Sequence, residues 1–282
     1  MSVLTTAAHQ LRQQPWKLWL RQSFAVVRME LKKTILGKRL LPAYLLALGP
    51  VVLFTLAALF GGRRPNIGNL AIVYAGFYQV FMLRFGIFFG CVAVFSSLFS
   101  AETLEKTLHY YLLAPVRREV LVLGKFLFGL WMTSLLFVGS TVATFILMFL
   151  PKGTDAVQDF LFNGPGLGHL AWYITVTLLA CIGYGATFLL MGILFKNPAY
   201  PAVMILGWES LNIFLPAILK KISIIYYLQS LTPVPFPPGP FAVITEPASA
   251  WTSIPGMIVV TAVVLFIATL NVRRLQVTYS SD

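Results

Sequence analysis

Six long apolar runs alternate with polar segments along most of the chain. Each is long enough, at about 20 residues or more, for an α-helix to cross a hydrocarbon core. The runs are Leu40 to Phe60, Leu70 to Phe99, Phe126 to Leu150, Leu170 to Phe195, Pro201 to Leu219 and Ile254 to Val272. The pattern predicts an all-α integral membrane fold with six transmembrane helices.

The second and fifth runs each contain an ionisable residue. Arg84 lies midway along the second run and Glu209 within the fifth, which Asn212 and Pro216 also interrupt. A charge inside a membrane is costly, so both side chains are expected to face protein or water. Two interpretations stay open, namely a structural ion pair between two helices and a contact for substrate or for gating.

Ahead of the first run, a segment that begins at Trp16 has helical periodicity. The apolar positions are Trp16, Trp19, Leu20, Phe24, Val27, Leu31 and Ile35, and the basic positions on the other side are Lys17, Arg21, Arg28, Lys32 and Lys33. Aromatic residues beside a basic face are typical of a helix that lies along the inner leaflet. A surface helix of a soluble domain is the alternative, but the sequence predicts no soluble domain for it to pack on.

The segment ETLEKTLHYYLLAPVRREVLVLGK, residues 102–125, is the most polar part of the middle of the chain. On a helix, its first half has one apolar face and one polar face. The apolar face carries Leu104, Leu108, Tyr111 and Leu112, and the polar face carries Glu102, Glu105, Lys106 and His109. Pro115 disfavours continuation of that helix but can begin the next one. We therefore predict a helix, a break and a second helix between the second and third runs.

The segments between the outer runs carry weaker signals. Residues 220–228 predict a short interfacial or re-entrant helix. The five prolines of 232–240 forbid a helix and favour extended structure. This extended stretch could be a rigid outer lid or a simple connector.

Composition and charge agree with a membrane protein. Hydrophobic residues make up 58% of the chain and charged residues 11%, with a mean hydropathy of +0.82, whereas soluble domains are about one quarter charged. With both termini inside, fifteen Lys and Arg residues fall in inner segments and five in outer ones. The positive-inside rule therefore predicts cytoplasmic termini. Topology and anionic lipid headgroups explain the net charge of +12 without a nucleic-acid partner.

No enzymatic pattern accompanies the apolar runs. Cys91 and Cys181 both lie within predicted spans, and the three histidines are scattered. No zinc-type spacing and no Ser/His/Asp arrangement stands out. The first run starts too deep for a cleavable signal peptide. We divide the chain into a cytoplasmic N-terminus at 1–39, a six-span domain at 40–272 and a cytoplasmic tail at 273–282.

Taken together, these features resemble those of ABC-2-type transporter permeases. The matching residues are Glu102, Thr107-Leu108, Leu112-Leu113-Ala114-Pro115, Arg117-Arg118-Glu119 and Gly124-Lys125. The sequence departs from the usual pattern at Lys106, where a glycine is common, and at His109, where an acidic residue is common. The layout is also similar, with an amphipathic N-terminal helix, six spans and an outer region between the fifth and sixth.

The resemblance implies an elbow helix at the N-terminus, with Trp16, Trp19, Arg21, Arg28 and Lys32 as its characteristic residues. It also implies a cytoplasmic coupling helix between spans 2 and 3 that docks on a separate ABC-type ATPase. The residues expected to take part in this coupling are Glu102, Glu105, Lys106, His109, Pro115, Arg117 and Arg118. Because the chain has no G-x-x-x-x-G-K-[ST] motif, ATP and Mg are expected on the partner subunit and no cofactor on this chain.

Three functions are compatible with the sequence. The first is the membrane subunit of an ATP-driven exporter or flippase in the bacterial inner membrane, working with a second permease copy or a homologue. The second is a secondary transporter or channel that uses Arg84 and Glu209. The third is a non-transporting scaffold that recruits a cytoplasmic protein. The elbow and coupling-helix pattern favours the first, while lipid, drug, peptide, glycan and haem-related cargo all remain open.

Overall fold

The computed structural model describes residues 16–34, 37, 40–60, 67–104, 117–150, 157–195, 197–211, 223–234 and 249–274, with the backbone alone at 101–104, 211, 273 and 274. Within these ranges the chain forms helices and no strand. We number the helices α1 (Trp16–Thr34), α2 (Leu41–Phe60), α3 (67–104), α4 (Arg118–Phe149), α5 (Gly166–Leu194), α6 (Ala199–Leu211), α7 (Ile224–Ser230) and α8 (Ala250–Arg274). A short π-helical turn, Asp159–Asn163, precedes α5.

Five of the described helices are long and apolar enough to cross a membrane. They are α2, the Ile67–Ser100 part of α3, α4, α5 and the Ala250–Val272 part of α8. The predicted all-helical membrane fold is thereby confirmed. The fifth predicted run begins as α6, which has 13 residues, and the rest of that run lies outside the described residues. The count of six spans stays a prediction.

The helix α3 is continuous but alternates between α and π turns. Its consecutive segments are Ile67–Phe77, Tyr78–Ile87, Phe88–Cys91, Val92–Ser96 and Ser97–Leu104, of which the second and fourth are π-helical. Such departures from α-geometry are rare and frequently occur at functional sites. Arg84 lies within the first π-helical segment.

The centre of the bundle is formed by α3, α4 and α5. Buried residues make up 72% of the most apolar part of α5, 61% of α4 and 56% of α3, but only 17% of α2 and 22% of α8. The last two helices therefore expose most of their apolar side chains on the outside of the bundle.

Small residues let the three central helices approach closely. The Phe95 ring of α3 lies between Gly129 of α4 and Gly185 of α5, and a Cβ atom at either glycine would come within 2.5 Å of that ring. Elsewhere along α3, Gly90 lies against Phe137 of α4. Small residues are commonly used in this way in membrane bundles, because close packing is a main source of helix association there.

A layer of buried hydroxyl groups joins the same helices. The Tyr78 hydroxyl of α3 donates to the carbonyl oxygen of Tyr173 at 3.0 Å and lies 2.8 Å from Thr177 Oγ1, both on α5. The Tyr74 hydroxyl donates to the carbonyl oxygen of Thr141 on α4 at 3.1 Å. Because the bilayer core offers no water, such groups have to find partners within the protein. These bonds fix the register of α3 against α4 and α5.

The amphipathic helix α1 packs directly against α4 at Gly124. A Cβ atom at Gly124 would lie 2.8 Å from the Cβ atom of Val26 and 3.1 Å from the carbonyl oxygen of Ser23. The glycine therefore determines how closely the two helices approach.

Replacing Gly124 with Ala is expected to push α1 away from α4. Overpacking of this kind typically costs about 1–3 kcal/mol. Gly139→Ala is the matched control on the same helix, because its Cβ atom would have no neighbouring atom within 4 Å. Thermal unfolding of the detergent-solubilised variants measures the difference. Equal stability of the two variants would show that α1 does not depend on this contact.

Candidate functional site

The inward face of α1 contains a carboxylate. Ser23, Val26 and Glu30 follow one another at intervals of three and four residues, which places them on one side of the helix. All three are buried against the bundle, and Glu30 is only 2% exposed. A buried acidic residue needs a partner, since an unpaired charge is strongly unfavourable away from water.

The apolar and basic faces of α1 lie on sides of the helix that do not pack against the bundle. Leu20 and Phe24 lie roughly a quarter to a third of a turn from the buried face and are 67% and 73% exposed. Arg21, Arg28 and Lys32 lie about a further quarter turn away and are also exposed. Of the two aromatic residues expected at the boundary, Trp16 is 49% exposed and Trp19 is half-buried. The helix thus presents a packed face, an apolar face and a basic face.

The partner of Glu30 is Lys125, two turns into α4. Lys125 Nζ lies 2.8 Å from Glu30 Oε1, and the two side chains are 0% and 3% exposed. The same ammonium group donates to the carbonyl oxygen of Leu98 on α3 at 2.7 Å and lies 5.0 Å from the centre of the Phe99 ring. One buried cation therefore connects α1, α3 and α4. We call the region where these helices meet, defined by Glu30, Leu98 and Lys125, the base of the bundle.

The base lies at both ends of the segment that the resemblance implies is the coupling helix. Leu98 comes four residues before Glu102, so Lys125 anchors the helix that leads into the segment. At the other end, Arg117 Cζ lies 4.6 Å from the centre of the Trp19 ring, a cation–π geometry. Arg118 donates to the carbonyl oxygen of Val272 on α8 at 3.1 Å. The start of α4 is thereby linked to both α1 and α8.

The interior of that segment lies outside the described residues. This applies to Glu105, Lys106, His109 and Pro115, while Glu102 is described by its backbone alone. Of the residues expected to couple to an ATPase, the structure positions the side chains of Arg117 and Arg118. Both contact other helices of the same chain.

Arg84 and Glu209, the two charges within predicted spans, line one cavity. Its volume is about 120 Å³, and its lining also includes Tyr184 of α5 and Ile225 of α7. The cavity therefore lies where α3, α5, α6 and α7 meet. Among the described residues, Arg84 and Glu209 do not form a direct ion pair.

The carboxylate of Glu209 is hydrogen-bonded to the beginning of α7. It accepts hydrogen bonds from Ser223 Oγ at 2.7 Å, from the backbone N–H of Ile224 at 3.1 Å and from that of Ile225 at 3.0 Å. The first N–H groups of a helix have no partner within the helix and favour an anion. Glu209 thus fixes the start of α7 against α6.

Sequence reasoning missed Glu30 as a site residue and included Lys125 only as part of a motif. A signal was present, because Glu30 is the only acidic residue before Glu102 and stands among basic residues. Its buried position depends on the docking of α1, which periodicity does not give. Tyr184 was also missed, since a tyrosine in an apolar span carries no distinguishing pattern. In the described part of the chain, no cluster of His, Cys, Asp and Glu is arranged to hold a metal ion.

The geometry defines a polytopic membrane protein with an amphipathic helix locked to its base. A family signature described as ABC-2 family transporter protein matches residues 26–207. The chain therefore belongs to the ABC-2 transporter family, and the resemblance found in the sequence is confirmed. As a member of this family it is a membrane component, the permease, of a transporter. No curated protein matches the sequence.

The matched region includes the residues of the base and ends close to the cavity. It begins at Val26, on the buried face of α1, and contains Glu30, Arg84 and Lys125. Glu209 lies two positions beyond its end. The base is thus a feature of the part of the chain that carries the family likeness.

The ion pair at the base should show strong coupling in a double-mutant cycle. Lys125→Met alone leaves the Glu30 carboxylate buried without its partner, which typically costs about 3–5 kcal/mol. Adding Glu30→Met removes the stranded charge and is expected to recover much of that loss, because apolar pairs often replace buried ion pairs without a net cost. Thermal unfolding in detergent provides the measurement. Lys32→Met, at an exposed position of α1, is the control and should have little effect. Strictly additive losses from Lys125→Met and Glu30→Met would contradict the pairing.

Proposed function

We propose that this permease is the membrane subunit of an ATP-driven exporter or flippase, coupled to a separate cytoplasmic ATPase through the segment between α3 and α4. The observation that carries the proposal is the buried Lys125 junction at the base. This junction ties the helix before the segment to α1 and to the helix after it. A force applied to the segment would therefore act on several helices at once.

Rigid attachment at both ends is what a coupling segment requires. Energetic coupling travels through packed side chains and buried polar contacts that have discrete arrangements. Here the preceding helix is held through the Leu98 carbonyl group, and the following helix begins with Arg117 on Trp19 and Arg118 on α8. An ATPase that moved residues 102–116 could shift α3 and α4 relative to the rest of the bundle.

The helix α1 fits the part of an elbow helix in this proposal. Its packed face is locked to α4, its exposed apolar residues can enter the inner leaflet, and its basic residues can meet lipid headgroups. Both termini are placed in the cytoplasm on the charge asymmetry of the sequence. The bacterial inner membrane is the compartment that the family resemblance implies.

Two further subunits complete the transporter. ATP and Mg are bound by the ATPase, since the chain carries no phosphate-binding loop motif. A second permease copy or a homologue encloses the pathway. The exposed apolar sides of α2 and α8, with 17% and 22% of their spans buried, leave surface on which a second permease and lipids can pack.

A secondary transporter is the second candidate, and the cavity at Arg84 and Glu209 is the observation that favours it. Ionisable groups inside a membrane often mark pathways for ions or substrates. Transport by the purified permease alone, driven by an ion gradient and insensitive to the removal of ATP, would decide for this candidate.

Charge reversal on the polar face of the coupling segment is expected to disrupt ATPase association. Glu102→Lys with Glu105→Lys changes the face that would meet the ATPase, where charged groups govern register and partner choice. The reversed protein should insert normally, while the amount of co-purified ATPase and substrate-dependent ATP hydrolysis should fall about tenfold, as expected when charge pairs worth about 1.5 kcal/mol or more are lost.

The matched control is Asp155→Lys with Asp159→Lys, which makes the same change of charge in the segment between α4 and α5. It should leave ATPase association unchanged. Equal retention of the ATPase by both double variants, with transport unaffected in both, would refute coupling through residues 102–116.

The orientation of the chain can be tested with single cysteines. Substitutions at Lys106 and Gly153 are expected to react with a membrane-impermeant thiol reagent from opposite sides of the membrane, because the positive-inside rule places the two segments on opposite sides. The native Cys91 and Cys181 are fully buried and should contribute little background. Labelling of both new cysteines from the same side would overturn the proposed topology.

A further inference from the structure

The cavity between α3, α5 and α6 contains a buried donor with no acceptor. The Tyr184 side chain is fully buried, and its hydroxyl group has no hydrogen-bond partner in the described part of the chain. Its ring packs edge-on against Phe88 and stacks with Phe188, with centroid distances of 5.3 Å and 6.3 Å. These contacts hold the ring in place, so the hydroxyl group cannot readily leave the cavity. A buried polar group without a partner is unusual and costly.

Arg84 adds a cation to the same cavity, within electrostatic range of the Glu209 carboxylate. Its side chain is half-buried and lines the cavity with Tyr184. Its guanidinium group carries five N–H donors, and none of them bonds to a residue in the described ranges. The neighbouring Glu209 carboxylate receives three hydrogen bonds from the start of α7 and forms no direct ion pair with Arg84. The cavity therefore presents more donors than acceptors.

Size and position restrict what can meet these donors. The cavity has a volume of about 120 Å³. A complete drug-sized molecule needs about 300–1,000 Å³, so only a small group of a larger molecule can enter. The rim contains the apolar residues Val80 and Phe85, which are 49% and 43% exposed on the outer surface of α3. An apolar chain can lie there while a polar group reaches Arg84.

We propose that this cavity binds the anionic head group of a membrane amphiphile. A carboxylate or phosphate group would accept from the guanidinium fork of Arg84, a geometry that favours planar bidentate pairing. The Tyr184 hydroxyl would donate to the same group. The acyl chain would lie over Val80 and Phe85, in contact with lipid. The ligand class is thus an anionic lipid or fatty acid with a single compact head group.

This inference deepens the proposed function, since it assigns the permease a class of cargo. Binding itself does not require an ATPase. Equal retention of the ATPase by both double variants in the coupling experiment would overturn the proposed coupling but leave binding intact. Absence of binding would overturn the present inference and leave the ATPase association intact.

The experiment measures binding of a radiolabelled long-chain fatty acid to the purified full-length permease in detergent, by scintillation proximity. Wild type should bind it saturably. Unlabelled lysophosphatidic acid of the same chain length should compete, and the neutral monoacylglycerol should compete about tenfold less well, since it lacks the charge that pairs with Arg84. Acetate and inorganic phosphate, which lack the acyl chain, should not compete at equal concentration.

Two substitutions test the donors. Arg84→Gln should weaken binding about tenfold or more, the effect of losing a hydrogen bond to a charged group. Tyr184→Phe removes one oxygen atom and should weaken binding about three- to tenfold. Tyr173→Phe is the matched control, because the Tyr173 hydroxyl is also buried and unpartnered among the described residues but does not line this cavity. It should bind as wild type does.

Several results would overturn the proposal. These are a lack of saturable binding by wild type, equal competition by the monoacylglycerol, and equal loss in the Tyr173→Phe and Tyr184→Phe variants. Competition by acetate or phosphate as strong as that by the fatty acid would show that the site takes a soluble anion and not an amphiphile. Should Arg84→Gln fail to fold, as judged by size-exclusion chromatography, the Tyr184→Phe and Tyr173→Phe comparison alone decides.

Discussion

The buried ammonium group of Lys125 holds the base of the bundle together. A charge in a dry environment is tolerated only when it is paired and hydrogen-bonded. Here the partners come from two other helices, the Glu30 carboxylate of α1 and the Leu98 carbonyl group of α3. Separating any of these helices would leave a charge or a carbonyl group without its partner. The amphipathic helix is therefore part of the bundle, although most of its residues are exposed.

The second set of intramembrane charges is arranged differently. Lys125 and Glu30 satisfy each other, whereas Glu209 is used by the start of α7 and Arg84 is left facing a cavity. In the first arrangement both charges are paired with each other, which suits a permanent contact between helices. The second leaves donor groups available at a place that a membrane molecule can reach. The contrast separates a structural charge pair from a candidate binding site, even though all four residues lie in mostly apolar surroundings.

Close packing of α3, α4 and α5 connects the base to the cavity. Phe95 fills the space between Gly129 and Gly185, and the hydroxyl groups of Tyr74 and Tyr78 bond across to α4 and α5. Interiors packed this closely transmit displacement and are not easily compressed. A shift of α3 at the base would therefore also displace its π-helical segment, where Arg84 lies. The residues that lead into the predicted coupling segment and the residue that lines the cavity are thus on the same helix.

The sequence by itself determined the membrane class, the helical spans other than the fifth, the amphipathic helix and the family. These follow from local features, because a long apolar run and a 3.6-residue period are both properties of consecutive residues. Tertiary structure alone decided that Glu30 meets Lys125, that Gly124 sets the approach of α1, and that Tyr184 and Arg84 line one cavity. It also showed that Glu209 bonds to the start of α7 and not directly to Arg84. Each of these contacts joins positions distant in sequence, so it depends on how helices dock, and hydrophobic periodicity gives no information about which partner a buried charge finds.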